Sequence, residues 1–161
     1  MNRNIVLVYP EQYLYNGLIT PGTMHFPMSL IYLAGISRKI CDDITIFDFS
    51  LEGNDINSFE KTLSNKLAGV VGINCMFSMS INQVLFLAEF VKNKFPETRV
   101  VIGGLHPTIY AEQIMQHCGS IDAVILGEGD DAFPHLLKYY FTPPPPPISK
   151  KQLCGFRQRC Y

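Results

Sequence analysis

Five short runs of apolar, mostly β-branched residues recur along the chain, and their spacing constrains the fold more than any other feature. They occupy residues 5–9, 44–49, 70–75, 100–103 and 123–126. Each is close to continuous, whereas a half-exposed strand would alternate apolar with polar residues, so all five read as strands covered on both faces. The stretches between them carry helical spacing. Met28, Ile31, Tyr32, Gly35 and Ile36 fall on one stripe, Phe59, Leu63 and Leu67 on a second, and Val84, Leu87, Ala88, Val91 and Phe95 on a third. Ala111, Ile114 and Met115 mark a short fourth helix, and Phe133, Leu136, Leu137 and Tyr140 a fifth.

Boundary residues agree with this reading. Ser80 followed by Gln83 has the form of a capping box opening the third helix. Pro96 ends that helix, and Thr108 after Pro107 is placed to cap the fourth. A strand followed by a helix, five times over, gives a parallel sheet with helices on both faces. The expected fold is therefore α/β: a doubly wound five-stranded parallel sheet, the Rossmann-like or flavodoxin-like three-layer sandwich. The 161 residues suffice for one such domain, and 47% hydrophobic against 17% charged residues marks a globular chain. Sheets of this kind bind ligands beyond the carboxyl ends of their strands, where strand order reverses. Function is thus to be sought in the loops that follow the strands.

Four of those loops carry candidate chemistry. After the fourth run comes Gly103-Gly104-Leu105-His106-Pro107-Thr108. Two glycines at a strand end mean either a bulky ligand passing over bare backbone or a tight turn that needs positive φ. After the third run, Asn74, Ser78 and Ser80 place amide and hydroxyl groups just before a helix N-terminus, which suits an anionic or hydrogen-bond-accepting ligand or, more simply, caps the helix. After the fifth, Gly127-Glu128-Gly129-Asp130-Asp131 is too acidic for a phosphate site and reads as a turn in which Asp130 or Asp131 caps the last helix. After the first, Tyr9-Pro10 opens a long loop to Pro27 containing Gly17, Pro21, Gly22 and His25. A loop of that length covers a ligand or contacts a neighbour. His25 in it is either a metal ligand or a polar surface residue.

Several function classes lack their motifs. No GxGxxG follows the first strand and no GxxxxGK[ST] occurs, so nicotinamide-dinucleotide and P-loop signatures are missing. The first strand ends neither in a receiver domain's acidic pair nor in the hydroxyl-rich turn with which a flavodoxin holds phosphate, and no Ser-His-Asp or Cys-His set falls on adjacent strand ends. No catalytic residue and no protein metal ligand is assigned. A formal charge of −1 gives no reason to expect nucleic acid or an anionic membrane as partner. No run approaches the roughly 20 apolar residues of a membrane span, the opening residues have no signal-peptide core, and five cysteines at scattered positions form no disulfide framework. A cytoplasmic location is expected.

The pattern stops after Phe141. Pro143 to Pro147 form a stiff spacer, followed by a tail in which Lys150, Lys151, Arg157 and Arg159 have no acidic counterpart, leaving nine of the thirteen basic side chains to balance all fourteen acids before them. Residues 1–141 are read as the domain, and 142–161 as a linker or a truncated segment.

Taken in order, these loops resemble the cobalamin-binding N-terminal domain of radical SAM enzymes, the group that includes methyltransferases and the anaerobic oxidative cyclases of porphyrin synthesis. The matching residues are Val8-Tyr9-Pro10; Pro27 with Leu30-Ile31-Tyr32-Leu33-Ala34; Asp48; Val71-Gly72-Ile73-Asn74-Cys75; Gly103-Gly104-Leu105-His106-Pro107-Thr108; and Gly127-Glu128-Gly129-Asp130. They cover about residues 4–140. The resemblance implies a groove beside the strand ends that takes the cofactor's nucleotide tail, with the corrin ring over the loops. Gly103 and Gly104 would let the benzimidazole pass close to backbone. Asn74, Met76 and Ser78 fall where the family lines the tail pocket, and His106 and Thr108 border the ring or its amides. Tyr9, Pro10, Gly127, Glu128 and Gly129 complete the expected set.

Two departures shape the expectation. The DxHxxG loop, whose histidine ligates cobalt in methionine synthase and the mutases, is absent after the first strand, which implies base-off binding without a histidine lower ligand. The CxxxCxxC of a radical SAM iron–sulfur cluster is also absent. The expected function is a cobalamin-binding module, a fragment or separate subunit, that presents the corrinoid to a radical SAM domain for methyl transfer or related radical chemistry. The iron–sulfur cluster and SAM belong to that other domain. A flavodoxin-like flavin protein, or an interaction domain that has lost its cofactor, are the alternatives.

Overall fold

The computed structural model describes residues 2–10, 26–51 and 53–142, and residues 156–158 by their backbone. The strands are β1 (Asn4–Tyr9), β2 (Asp43–Asp48), β3 (Val70–Asn74), β4 (Arg99–Gly103), β5 (Ala123–Ile125) and β6 (Phe156–Gln158). Between them run α1 (Met28–Ser37), α2 (Ile56–Lys66), α3 (Ile81–Lys94), α4 (Leu105–His117) and α5 (Gly129–Phe141), with a 3-10 turn, Ser78–Ser80, ahead of α3. Strand order is β2-β1-β3-β4-β5-β6. The first five strands are parallel, as their apolar runs require, and order reverses between β1 and β3. The structure adds one strand that the apolar pattern does not show: β6, from the basic tail, pairs antiparallel with β5.

Two apolar layers hold the sheet. On one face Val6, Val8, Val71, Ile73, Val100 and Ile102 pack against Phe59 and Leu63 of α2, Val84, Leu87, Ala88 and Val91 of α3, and Ala111 and Ile114 of α4. On the other, Ile5, Leu7, Tyr9, Val70, Val101, Ala123 and Ile125 meet Leu30 of α1 and Phe133, Leu136 and Leu137 of α5. Alternate residues of each strand serve opposite layers, the period-2 geometry that puts α2, α3 and α4 on one side and α1 and α5 on the other.

Several helix details differ from the sequence reading. On α1 the expected core stripe is largely turned outward: Met28, Ile31 and Tyr32 are exposed, and the buried side belongs to Leu30, Leu33, Ala34 and Ser37. Because α1 is apolar on nearly every side, its spacing could not distinguish the core face. Leu67 stands past the end of α2 as an exposed residue in the left-handed region, φ 49°. The capping box at Ser80 and Gln83 does not form, because the 3-10 turn has already placed Ser80 in right-handed helical backbone, whereas a cap needs extended backbone. A capping box forms instead at α2, where Asp55 Oδ1 accepts from Ser58 N at 2.7 Å and the Ser58 hydroxyl accepts from Asp55 N at 2.8 Å. Thr108 does not cap α4, which begins three residues earlier, and Asp130 and Asp131 lie inside the first turn of α5 with Glu128 preceding it.

At the amino ends of β4 and β5, away from the strand-end loops, an ion cluster ties three elements together. Asp122, 1% exposed, meets Lys92 of α3 at 2.8 Å and Arg99 of β4 at 3.0 Å, and it accepts from the Val100 amide at 2.7 Å. Burial alone would raise this carboxyl, but Lys92, the Val100 amide and Arg99 together hold it below the usual range. Removing the acid takes the carboxylate from two partly exposed cations and the acceptor from the buried Val100 amide, so Asp122→Ala is expected to cost about 2 kcal/mol in urea denaturation. Since the folded-state value is depressed, the contribution is present at neutral pH and is lost as pH falls through it. The gap between wild type and Asp122→Ala should therefore narrow below about pH 4.

Candidate functional site

At the carboxyl ends of β3, β4 and β5, between α1 and α5, lies a cavity of about 660 Å³. That volume is within the roughly 300–1,000 Å³ of small-molecule sites. Its floor is explained by what two strands lack. On the α1/α5 face, β3 presents Gly72 then Asn74, and β4 presents Val101 then Gly103; Gly72 pairs with Val101, and Asn74 with Gly103. Two neighbouring strands thus carry glycine on the same face where a β-branched residue would otherwise stand. Leu30 and Leu33 of α1, Leu7, Ile125, and Phe133 of α5 supply apolar walls, and Asn74, Thr108, Glu128 and Asp130 supply the polar mouth.

The bare positions have different physical causes. A Cβ on Gly103 would meet only Ile125, at 3.4 Å, so its absence leaves space open above β4. A Cβ on Gly72 would lie 2.9 Å from Leu7 and 3.5 Å from the Phe133 ring, which already cover that part of the floor. Gly104 is bare for another reason. Its φ is +116°, and a Cβ there would lie 2.7 Å from the Cys75 carbonyl oxygen and 3.0 Å from Asn74 Oδ1. Its missing side chain admits the β3 backbone, not a ligand. Gly129 plays a packing role, since a Cβ would lie 3.2 Å from Leu33 and push α5 away from α1.

Of the residues expected from sequence, Asn74, Met76, Gly103, Gly104, Thr108, Gly127, Glu128 and Gly129 converge on this cavity. Tyr9 and Pro10 are buried at the end of β1, outside its lining. Ser78 and His106 face elsewhere: His106 lines a smaller groove of about 320 Å³ between α3 and α4, with Tyr110 and His117. The His106 ring is 4.7 Å from that of Tyr110, Nδ1 lies 2.8 Å from the Ser78 hydroxyl, and burial pushes its pKa down. Gly72 belongs to the cavity and was not singled out for it; a glycine interrupting a β-branched strand was the available signal. His25 and the loop carrying Gly17, Pro21 and Gly22 lie outside the described residues.

The three loops at the mouth are stitched to one another. Cys75 N donates to Gly103 O at 2.7 Å and His106 N to Cys75 O at 3.3 Å. The Thr108 hydroxyl donates to Gly104 O at 2.8 Å and accepts from Gly127 N at 3.0 Å, joining the β4–α4 and β5–α5 turns. Asp48 accepts from the Ser50 amide and hydroxyl at 2.8 and 2.6 Å, which shapes the β2–α2 turn. Asp130 and Asp131 in the first turn of α5 offset the positive end of that helix, leaving no anion site there. The Cys75 thiol at the end of β3 is pushed up to about 11 by burial and stays protonated. Among the described residues no three His, Cys, Asp or Glu side chains gather as a metal site, and no helix is long and apolar enough to cross a membrane.

Comparison with known proteins gives three kinds of match. The family model of the B12 binding domain matches residues 17–137. The chain is 33% identical over 116 residues to the uncharacterized methyltransferase PH0819 of Pyrococcus horikoshii, covering 72% of this chain and 25% of that protein. It is 27% identical over 113 residues to the hopanoid C-3 methylase of Methylococcus capsulatus, covering 70% and 22%. Among solved structures, the cobalamin-dependent S-adenosylmethionine radical enzyme OxsB with aqua-cobalamin and S-adenosylmethionine bound superposes with a TM-score of 0.63 at 17% identity, over 85% of this chain and 18% of that one. Its aqua-cobalamin form gives 0.62 at 19% identity. The chain spans a quarter or less of the length of these relatives.

The two central glycines should respond differently to substitution. Gly104→Ala is expected to cost about 1–3 kcal/mol, because it forces a side chain into positive φ and against the Cys75 carbonyl. Gly103→Ala should change stability by less than about 1 kcal/mol, since alanine is the better strand residue and meets only Ile125. Urea titrations of both variants measure the difference.

Proposed function

The chain belongs to the B12-binding domain family, and we propose that it binds cobalamin with the nucleotide tail threaded between α1 and α5 and the corrin ring across the strand-end loops. One observation carries this reading: an apolar-walled slot at the carboxyl edge of the sheet whose floor over β4 is bare at Gly103. A flat benzimidazole fits such a slot by burying its faces against Leu30, Leu33, Ile125 and Phe133, while the more polar linker passes Asn74 and Thr108 at the mouth. Fit is thus favourable in shape and in chemistry.

In this reading the chain's own residues bind and orient. Gly103 leaves room for the tail. Gly104 lets β4 turn into α4 at the slot's edge, and Gly127 with φ +68° turns β5 back toward the mouth. Met76, exposed on the rim, offers a polarizable surface to the ring. Tyr9 and Pro10 are buried at the end of β1 outside the lining, and Ser78 and His106 act at a distance from the tail. Cobalamin would be held base-off without a histidine lower ligand; in support, the histidine of the β4–α4 turn is held by Ser78 and lines the α3–α4 groove. When bound, cobalamin supplies a cobalt centre suited to methyl transfer or related radical chemistry.

The module presents that centre to a radical SAM domain, whether on the same polypeptide or on a separate subunit, in the cytoplasm. The names of the longer relatives, a methyltransferase and a methylase, support this, as does the S-adenosylmethionine bound to OxsB. The iron–sulfur cluster and S-adenosylmethionine belong to that domain, since the chain contains no CxxxCxxC. Residues 1–141 form the module, and the segment 142–161 adds its edge strand β6.

Purified protein mixed with hydroxocobalamin and desalted should retain about one corrinoid per chain, with the visible spectrum of a base-off form. Gly103→Val should lose retention at least tenfold while its urea midpoint stays near wild type, because the added isopropyl group enters the slot and not the core. Absence of corrin colour on wild type, or a yellow protein that releases flavin on heating, would overturn the reading.

A further inference from the structure

The loop between β3 and α3 is the least buried part of the mouth. Met76, Phe77, Ser78 and Met79 are all exposed, yet Met76 must face the cavity. The first turn of α4 reaches both flanking loops with two side chains. Thr108 holds the β5–α5 turn through the Gly127 amide, and His106 holds the β3–α3 loop through the Ser78 hydroxyl at 2.8 Å. The two anchors lie two residues apart on a helix that begins at Leu105, just after Gly104, whose position is itself fixed by contact with Cys75. The imidazole is braced from the other side by Tyr110, one turn along α4, so its ring orientation does not depend on a ligand.

We propose that His106 is a positioning residue for the corrinoid: it touches Ser78 and not the tail, and fixes the β3–α3 loop so that Met76 and its neighbours form a preformed rim. This rests on the cobalamin reading above and goes beyond it by separating residues that contact the cofactor from one that orders the contact surface. A mobile rim would have to be ordered on binding, and ordering several residues opposes affinity, whereas a rim pinned beforehand has already lost that freedom. The ring nitrogen that matters is Nδ1. Asparagine places a hydrogen-bonding atom near the same point and glutamine does not, so the side-chain position is testable apart from the loss of the ring.

The experiment measures hydroxocobalamin affinity and, without any corrinoid, backbone amide exchange over residues 76–80. Ser78→Ala and His106→Phe should each weaken binding about fivefold, the usual worth of one neutral hydrogen bond. The double variant should be no weaker than either alone. His106→Asn should recover most of the affinity and His106→Gln little, and exchange over 76–80 should quicken in the Ala and Phe variants. Ser78 is exposed, so its variant folds whatever happens at residue 106. Additive losses, Asn no better than Phe, or unchanged exchange would each overturn the proposal. Wild type that retains no corrinoid would instead overturn the cobalamin reading on which it rests.

Discussion

At the carboxyl ends of β3 and β4 the chain approaches itself so closely that a methyl group on residue 104 would lie 2.7 Å from the Cys75 carbonyl oxygen. The rest of the site depends on that approach. It lets Cys75 N bond to Gly103 O and His106 N to Cys75 O, so that β4 leaves the sheet at once as α4 and does not run on as strand. Only because α4 starts here do His106 and Thr108 stand between the two neighbouring loops. A residue with a Cβ would separate the strand ends and unfasten all three turns together, and positive φ adds its own strain to any such side chain.

The two ends of the sheet are held by different forces. Away from the site, the buried Asp122 gathers Lys92, Arg99 and the Val100 amide into a charge-assisted cluster. Between the loops after β3, β4 and β5 the contacts are backbone, hydroxyl and imidazole hydrogen bonds, with apolar side chains such as Met76, Phe77 and Leu105 left exposed. Such a division suits a binding module. The ionic end ties α3 to the sheet, while the end with the cavity keeps an apolar-walled slot open. The acidic turn at Glu128, Asp130 and Asp131 sharpens this by removing the positive helix end that would otherwise attract a free anion.

The cavity belongs to the space between α1 and α5, on the layer opposite the three helices that make the larger core. The topology explains its place. Strand order reverses between β1 and β3, and the helix after β1 and the helix after β5 pack on one face of the sheet. Gly103 then deepens the gap from below, while the room left by Gly72 is taken by Leu7 and Phe133. Met28 and Tyr32 of α1, although exposed, line this gap, and Ile31 lies outside its lining.

How far the sequence reaches can be seen residue by residue. Five apolar runs and the stripes between them specify the parallel doubly wound sheet, and the observed parallel strands fall within one residue of those runs, because burial on both faces leaves a local signature in residue type. The loops after β3, β4 and β5 were likewise legible as the site, since ligand position follows from topology. Other features depend on neighbours distant in sequence, which no local pattern records. Spacing alone put Met28, Ile31 and Tyr32 in the core, but which side of a wholly apolar helix meets the sheet is decided by what α5 leaves uncovered. A pair of glycines looked alike in sequence, yet Gly103 opens space beside Ile125 while Gly104 admits the backbone of another strand. His106 read as a residue bordering the ligand, and only the packing of Tyr110 and Ser78 around its ring turned it toward the α3–α4 groove. Residue types thus determined the layers and the end of the sheet where the cavity opens; the direction each side chain takes there was settled by long-range packing, because that is where its neighbours are chosen.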